Sequence, residues 1–371
     1  MTSILIISPE AWRTNQVSKH HYARTLAKRG HRVYFLEPPT HSRTSISVES
    51  LDDEVGDIWV IRAPPVARGL RFMPSFLRRA LEARWIDRLE RRLKVVIDCV
   101  WLFENSRFYD MSCAGDRLKI YHQMDLNQDF HPTEAARSAD MTFAVSSVIL
   151  ERLAPYAKSA HKISHGVLDV AAPSDIDYTM IRHGRPSAAY VGNVDSAYLD
   201  HELLWNVIRQ SPDVDFHIIG GFSGEGQAYR LLQAVPNVFF WGHLPSRELA
   251  AALRRLDVTL LVYNTAKYGD QLANPHKMLE YLRSGNVTVA TFAQEYAHLA
   301  GDLIEMVNDP HEYFAKFREV IANLDRFNAD GLRARRAAFA AEYTYDRQLD
   351  RIADALNGCR AISDRFGKIS L

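Results

Sequence analysis

The stretch "NPHKMLEYLRSGNVTVAT", residues 274–291, decides the architecture. Met278, Leu279 and Leu282 fall on one face of a predicted helix over 275–284, Gly285 stops it, and "VTVAT" (287–291) reads as a strand buried on both faces. A helix that runs through one glycine into such a strand is a repeat of a parallel sheet covered by helices. The polar start has two readings. In one, Asn274 caps the helix, Pro275 fills its first turn, and Lys277 and Glu280 form a solvated face. In the other, Lys277 and Glu280 share a face near the helix start and hold a ligand. The ammonium would meet a diphosphate as a point charge, and the carboxylate would accept from two ribose hydroxyls.

The same rhythm extends outward. "SILIIS" (3–8), a helix over 17–30 closed by Gly30, and "HRVYFLEP" (31–38) form a βαβ opening. Strands follow at 95–103, 118–124, 141–147 and 161–166. Residues 171–187, rich in Pro, Ser and Asp, read as a linker. The alternation restarts with "SAAYVGN" (187–193) and continues through a helix at 200–210, strands at 214–221 and 237–242, a helix at 246–254 and a strand at 257–263. Two doubly wound α/β domains in series are expected, over 1–170 and 188–340. A helical segment, 341–371, closes the chain.

The chain has 371 residues, enough for two average domains. With 47% apolar and 24% charged residues it has the composition of a folded protein, and its zero formal charge supplies no overall field to draw it to nucleic acid. Cys99, Cys113 and Cys359 are odd in number and far apart, against a disulfide framework or a zinc site and for a reducing compartment. The expected location is cytoplasmic.

Open parallel sheets bind ligands beyond the carboxyl ends of their strands. Four places in the second half qualify: Asn193 after "AAYVG", the glycine-rich "GGFSGEG" (220–226), Tyr263 after "TLLV", and "NPHK" (274–277). Glycines and helix N-termini suit a phosphate, although a glycine-rich turn after a strand is more often only a turn.

"PHKMLEYLRSGNVTVAT" resembles the donor-site helix of nucleotide-sugar glycosyltransferases of the GT-B fold, with Pro275, Lys277, Glu280, Tyr281, Leu282, Gly285, Val289, Ala290 and Thr291 in place. Val287 and Thr288 stand where the family often has proline. "HGV" (165–167), "YVGN" (190–193), "IIGG" (218–221) and "WGHLP" (241–245) follow the family's order. The pattern is most similar to the inverting, membrane-associated glucuronosyltransferases of xanthan assembly, through Arg13, Thr14, His21 and "LAKRG" (26–30).

The resemblance implies two Rossmann-like domains facing each other across a cleft, the first binding the acceptor and the second a nucleotide-sugar, UDP-linked by preference. It implies that the closing helices pack back on the first domain. Lys277 would contact the diphosphate and Glu280 the ribose. Gly192, Asn193, Val194, Gly221, Tyr263, His276 and Met278 would complete the donor pocket. It also points to Asp125, in "IYHQMDLNQDF" (120–130), as the catalytic base, with Asp129 as the alternative. Inverting transfer needs one carboxylate to take the acceptor hydroxyl's proton. Retaining members carry a second glutamate at the position of Leu272. No cofactor or metal is expected: "DID" (175–177) and "DVD" (213–215) match a metal-binding spacing by chance, and Lys277 would supply the positive charge. An epimerase of the same fold and a non-catalytic partner protein remain alternatives. An NAD-dependent oxidoreductase lacks its G-x-G-x-x-G after the first strand.

On the acceptor side, the polar loop after the first strand offers Arg13, Asn15, Lys19, His20 and His21 to a sugar or phosphate. Residues 68–94 carry nine Lys/Arg against three acids, with Leu77, Leu81, Trp85, Leu89 and Leu93 on one stripe. This is either a helix packed on its own domain or an amphipathic surface for anionic lipid headgroups, the latter suiting a lipid-linked acceptor.

Overall fold

The computed structural model describes residues 1–14, 16–51, 56–127, 130–169, 184–224 and 226–371. Asn15, Asp129, the "DID" aspartates and most of the expected linker lie outside them. The chain forms two compact units, Met1–His165 with Tyr345–Leu371, and Gly166–Thr344.

The first unit holds β1 (Ser3–Ile7), β2 (Arg32–Leu36), β3 (Ser47–Leu51), β4 (Ile58–Arg62), β5 (Cys99–Leu102), β6 (Leu118–Gln123), β7 (Met141–Ala144) and β8 (Ala160–Lys162). Their order is β3-β4-β2-β1-β5-β6-β7-β8, parallel throughout except for the antiparallel β3–β4 pair at one edge. The strand order reverses at β1 and β5. Ile4–Ile7, Val33–Leu36 and Val100–Leu102 are buried, each Leu or Ile side chain contributing about 1.5–3 kcal/mol of transfer free energy. The segment after Thr344 completes this unit. The helix Tyr345–Gly358 buries Leu349, Ile352 and Leu356, and Gln348 Nε2 donates to the Ser164 and His165 carbonyls at 2.9 Å each. Arg29 binds Asp346 and Asp350 at 2.8 Å each and donates to the Leu371 carbonyl at 2.6 Å.

The stripe expected along 68–94 is rotated in the structure. The helix Ser75–Leu93 buries Arg78, Glu82, Trp85, Ile86 and Leu89, whereas Leu77 is exposed and Leu81 and Leu93 are half-buried. Polar partners make this possible: the Phe108 N–H donates to Glu82 Oε1 at 2.9 Å, and the Arg78 guanidinium lies 4.1 Å from the Tyr109 ring centroid. Burial pushes the Glu82 carboxyl up to about 7, against the Phe108 N–H and Arg78, which favour its charged form.

The second unit holds β9 (Ser187–Val191), β10 (Asp215–Ile219), β11 (Val238–Gly242), β12 (Val258–Leu261), β13 (Val287–Thr291) and β14 (Glu305–Val307), in the order β11-β10-β9-β12-β13-β14, all parallel. Ser187, the last residue of the expected linker, already opens β9. An apolar cluster lies on each side of the sheet, one built around Leu279 and Leu282, the other around Phe216 and Phe317. Arg336 is buried at 1% exposure and donates to the carbonyls of Leu303 (2.9 Å), Gly285 (3.2 Å) and Phe327 (2.8 Å), and burial lowers its pKa to about 10. Among the described residues no helix is long and apolar enough to cross a membrane.

Candidate functional site

In the second sheet the strand order reverses between β9 and β12, and the chain leaves both strands into one crevice. Their ladder ends at the Leu260–Tyr190 pair. The next rung is supplied by a side chain: the Val191 N–H donates to the Tyr281 hydroxyl at 3.0 Å, which donates to the Leu260 carbonyl at 3.2 Å. Tyr281 thereby fixes the helix Lys277–Ser284 against the sheet, and Lys277, four residues earlier on the same helical face, comes to lie beside Gly192.

Glycine is required at Gly192 by what surrounds it. A Cβ there would stand 2.2 Å from Lys277 Nζ and 2.9 Å from the Tyr190 hydroxyl oxygen, and φ is +149°. The Lys277 ammonium is 5.3 Å from the Tyr190 ring centroid and 5.6 Å from that of Tyr263. Tyr263 is held from behind, its N–H donating to Thr291 Oγ1 at 3.0 Å. Burial pulls the ammonium's pKa down, but Tyr263, Tyr190 and Glu280 outweigh it and leave the value above the ordinary lysine range. Glu280 lines a recess with Ser246, Leu249, Arg254 and Arg283, and burial raises its carboxyl to about 7 although Lys277 favours the charged form. Lys277 and Glu280, one turn apart on the helix, are both half-buried.

The helix start departs from expectation. Regular helix begins at Lys277, and His276, already helical at φ −57° and ψ −30°, occupies the cap position without a side-chain cap bond. Asn274 is not the cap; the first turn closes through the Met278 N–H to the Pro275 carbonyl at 3.0 Å. His276 is exposed, whereas Met278 is wholly buried among core residues and offers no surface to a ligand. Val194 is also fully buried, its N–H donating to the Gly221 carbonyl and its own carbonyl bonded to His201 Nε2 at 2.7 Å. Asn193 and Gly221 are exposed, and Asn193 Oδ1 accepts from the Asp195 N–H at 2.8 Å.

The glycine-rich loop does not stand open as a phosphate cradle. Asp195 occupies it: Asp195 Oδ2 accepts from the Ser223 N–H at 2.6 Å, and a Cβ on Gly226 would meet Asp195 Oδ1 at 2.1 Å. Gly220 serves close backbone approach instead, with φ +140° and the Gly192 carbonyl oxygen 2.3 Å from where a Cβ would be. "DVD" is likewise structural, Asp213 forming a two-pronged pair with Arg318 at 2.8 and 3.0 Å and Asp215 being buried in β10. Among the described residues no three His, Cys, Asp or Glu are grouped to hold a metal ion.

In the first unit Asp125 follows β6 and is exposed. Its loop is anchored by a buried chain in which Asn105 Nδ2 donates to the Tyr121 hydroxyl (2.9 Å), that hydroxyl to Gln123 Oε1 (3.0 Å), and Gln123 Nε2 to the Asp125 carbonyl (3.0 Å). The residues expected at the acceptor side are more occupied than their sequence suggests. Arg13 pairs with Glu49 at 2.6 Å, at the end of a series through Arg62 to Glu37. His20 is fully buried and serves the adjoining helix start, Nδ1 accepting from the Val17 N–H at 3.1 Å. Lys19 is buried in an ion pair with Glu10. His21 packs on Tyr345, ring centroids 4.9 Å apart, and burial lowers its pKa to about 4. Tyr190, Tyr281 and Asp195 were not singled out as ligand or positioning residues; Tyr190, the one large aromatic in "SAAYV" and two residues before Gly192 on the same strand face, is the signal that was available.

Residues 201–354 match the family model "Glycosyl transferase-like". Among solved structures, sucrose-phosphate synthase from Thermosynechococcus elongatus superposes with a TM-score of 0.67 at 14% identity over 95% of this chain and 98% of that one. The fold is GT-B. Anabaena HepE in complex with UDP and glucose gives 0.66 at 14% over 97% and 100%, and the UDP-forming α,α-trehalose-phosphate synthase of Burkholderia xenovorans in complex with glucose-6-phosphate gives 0.65 at 13% over 96% and 100%. No curated protein sequence matches the chain.

Proposed function

We propose that this GT-B protein is a glycosyltransferase that moves a sugar from a nucleoside-diphosphate donor, UDP-linked by preference, to a hydroxyl of a glycan, glycolipid or small-molecule acceptor. The observation that carries the reading is the Lys277 ammonium beside Gly192 at the reversal of the second sheet, with Glu280 one turn further along the same helix. Lys277 would neutralise the diphosphate as its bond to the anomeric carbon breaks and the electron pair passes to the leaving oxygen. Glu280, in its recess with Ser246 and Arg254, would hold the ribose hydroxyls. Asp125 would take the acceptor hydroxyl's proton as that oxygen attacks the anomeric carbon, giving inversion. The charge at Lys277 supports transfer without a metal. UDP and glucose-6-phosphate in the structural relatives favour UDP and a hexose-type acceptor, and glucuronosyl transfer is the alternative to hexosyl transfer.

The first unit exposes Phe72 (77%), Phe76 (66%) and Leu77 (38%) beside Arg68, Arg71 and Arg79. This patch supports reversible contact with an anionic membrane on its cytoplasmic face, where a lipid-linked acceptor would be presented. Flotation with anionic liposomes at low salt tests it, and failure to bind removes it.

The main test is a thermal-shift panel of UDP-glucose, UDP-glucuronic acid, GDP- and dTDP-sugars with wild type and Lys277→Ala. Stabilisation of wild type by UDP-sugars, lost in the variant, is expected; no stabilisation, or equal stabilisation, overturns the donor reading.

A further inference from the structure

The ammonium of Lys277 is placed before any ligand arrives. Among the described residues it has no carboxylate within 4.0 Å, since Glu280 acts on it only at longer range. Two aromatic rings take the carboxylate's place, Tyr190 at 5.3 Å and Tyr263 at 5.6 Å from the ammonium to the ring centroid. Both rings are rigidly seated. Tyr190 is 1% exposed in the central strand β9, and Tyr263 is 7% exposed with its backbone tied to Thr291. Gly192 contributes the missing side chain: the volume a Cβ would take is where Nζ sits.

This arrangement suits an anion better than an ion pair would. A lysine bound to a carboxylate must break that pair and leave a buried carboxylate unpaired before it can serve a phosphate. A lysine held by ring faces keeps its full charge and needs no partner exchange, so less binding energy is lost to reorganisation.

We propose that Tyr190 and Tyr263 are positioning residues, an aromatic clamp that holds the Lys277 ammonium over Gly192 so that the donor's diphosphate meets a pre-placed charge. This rests on the donor-site reading above for its consequence, not for the clamp itself. Tyr263 is moved by this proposal from a donor contact to a support of Lys277, and Tyr190 is added.

The test separates the two. Acylation of Lys277 in the ligand-free full chain, followed by peptide mass spectrometry, reads the clamp without nucleotide. Tyr190→Leu and Tyr263→Leu should each raise the labelling rate at Lys277 several-fold relative to the other lysines, and Tyr263→Phe, which keeps the ring, should lie nearer wild type. UDP titration by calorimetry reads the consequence, with affinity falling about ten-fold in each leucine variant and the Tyr263→Phe variant recovering most of it. In turnover, the loss should appear in the donor KM more than in kcat. Unchanged labelling in both leucine variants overturns the clamp, whereas raised labelling with wild-type UDP affinity in both keeps the clamp and overturns its consequence for the diphosphate. If wild type binds no nucleotide, the donor-site reading falls while the labelling result alone decides the clamp.

Discussion

Replacing Gly220 by alanine tests the glycine stacking that shapes the crevice. The new Cβ would lie 2.3 Å from the Gly192 carbonyl oxygen, 2.7 Å from its carbon and 3.0 Å from its nitrogen, all backbone atoms that no rotamer change can move. Gly192 is held where it is by its N–H to the Ile219 carbonyl, 2.8 Å, and Gly220 by its N–H to the Gly242 carbonyl, 2.8 Å. Two costs follow. A φ of +140° strains any L side chain by about 1–3 kcal/mol. Forcing extra volume into a packed contact adds about 1–3 kcal/mol. The sum, about 2–6 kcal/mol, lowers the urea midpoint of the second unit by roughly 1–3 M at an m-value of about 2 kcal/mol/M. The control is the neighbouring Gly221→Ala, whose Cβ would meet nothing within 4 Å and whose φ is ordinary, so a change within about 0.5 kcal/mol is expected. Urea titration followed by fluorescence of the full chain compares the pair. Equal midpoints would refute the claim that close backbone approach, rather than loop chemistry, requires Gly220.

Arg336→Met removes the donor from three buried carbonyls and should cost about 2–5 kcal/mol, read by thermal unfolding; a change below about 1 kcal/mol would show that those carbonyls find other donors. The Glu82 carboxyl, raised by burial to about 7, is protonated in the folded chain and ionised in the unfolded one between roughly pH 4.5 and 7. Stability therefore falls as pH rises through that window, by about 3 kcal/mol at most, and Glu82→Gln should flatten the urea-midpoint profile there; an unchanged profile counts against it. Asp195→Ala leaves the Ser223 N–H without its carboxylate, so hydrogen exchange at Ser223 should speed up roughly ten-fold while exchange in β12 stays constant. An unaltered Ser223 rate would mean that the loop does not depend on Asp195.

The sheets were legible because buried parallel strands are short apolar runs and their helices carry a separate period, as in "SILII" and "FHII". The edge strand β3 was not: "SVESL" is half-buried and polar, and among the described residues it pairs with β4 alone, so its environment leaves little mark on composition. The 75–93 helix misled for a different reason. Arg78 and Glu82 are buried because Tyr109 and the Phe108 N–H are there to receive them, and those partners are distant in sequence. At the donor helix the residue types pointed to Lys277 and Glu280, while the parts that place Lys277, Tyr190 and the Tyr281 hydroxyl, depend on strand register. His20 shows the converse. A histidine in a polar loop looked available, but helix geometry turns its ring onto its own N-terminal turn.

The first unit is written in two pieces, with the whole of Gly166–Thr344 between them. The enclosed unit is continuous in sequence and can fold on its own contacts, whereas its host is not finished until the helix Tyr345–Gly358 returns to it. Until then Arg29 has neither Asp346 nor Asp350, and the Ser164 and His165 carbonyls lack Gln348. Completion of the host therefore waits on the segment after Thr344, and a chain cut there keeps every strand of the second sheet while exposing apolar surface on the first.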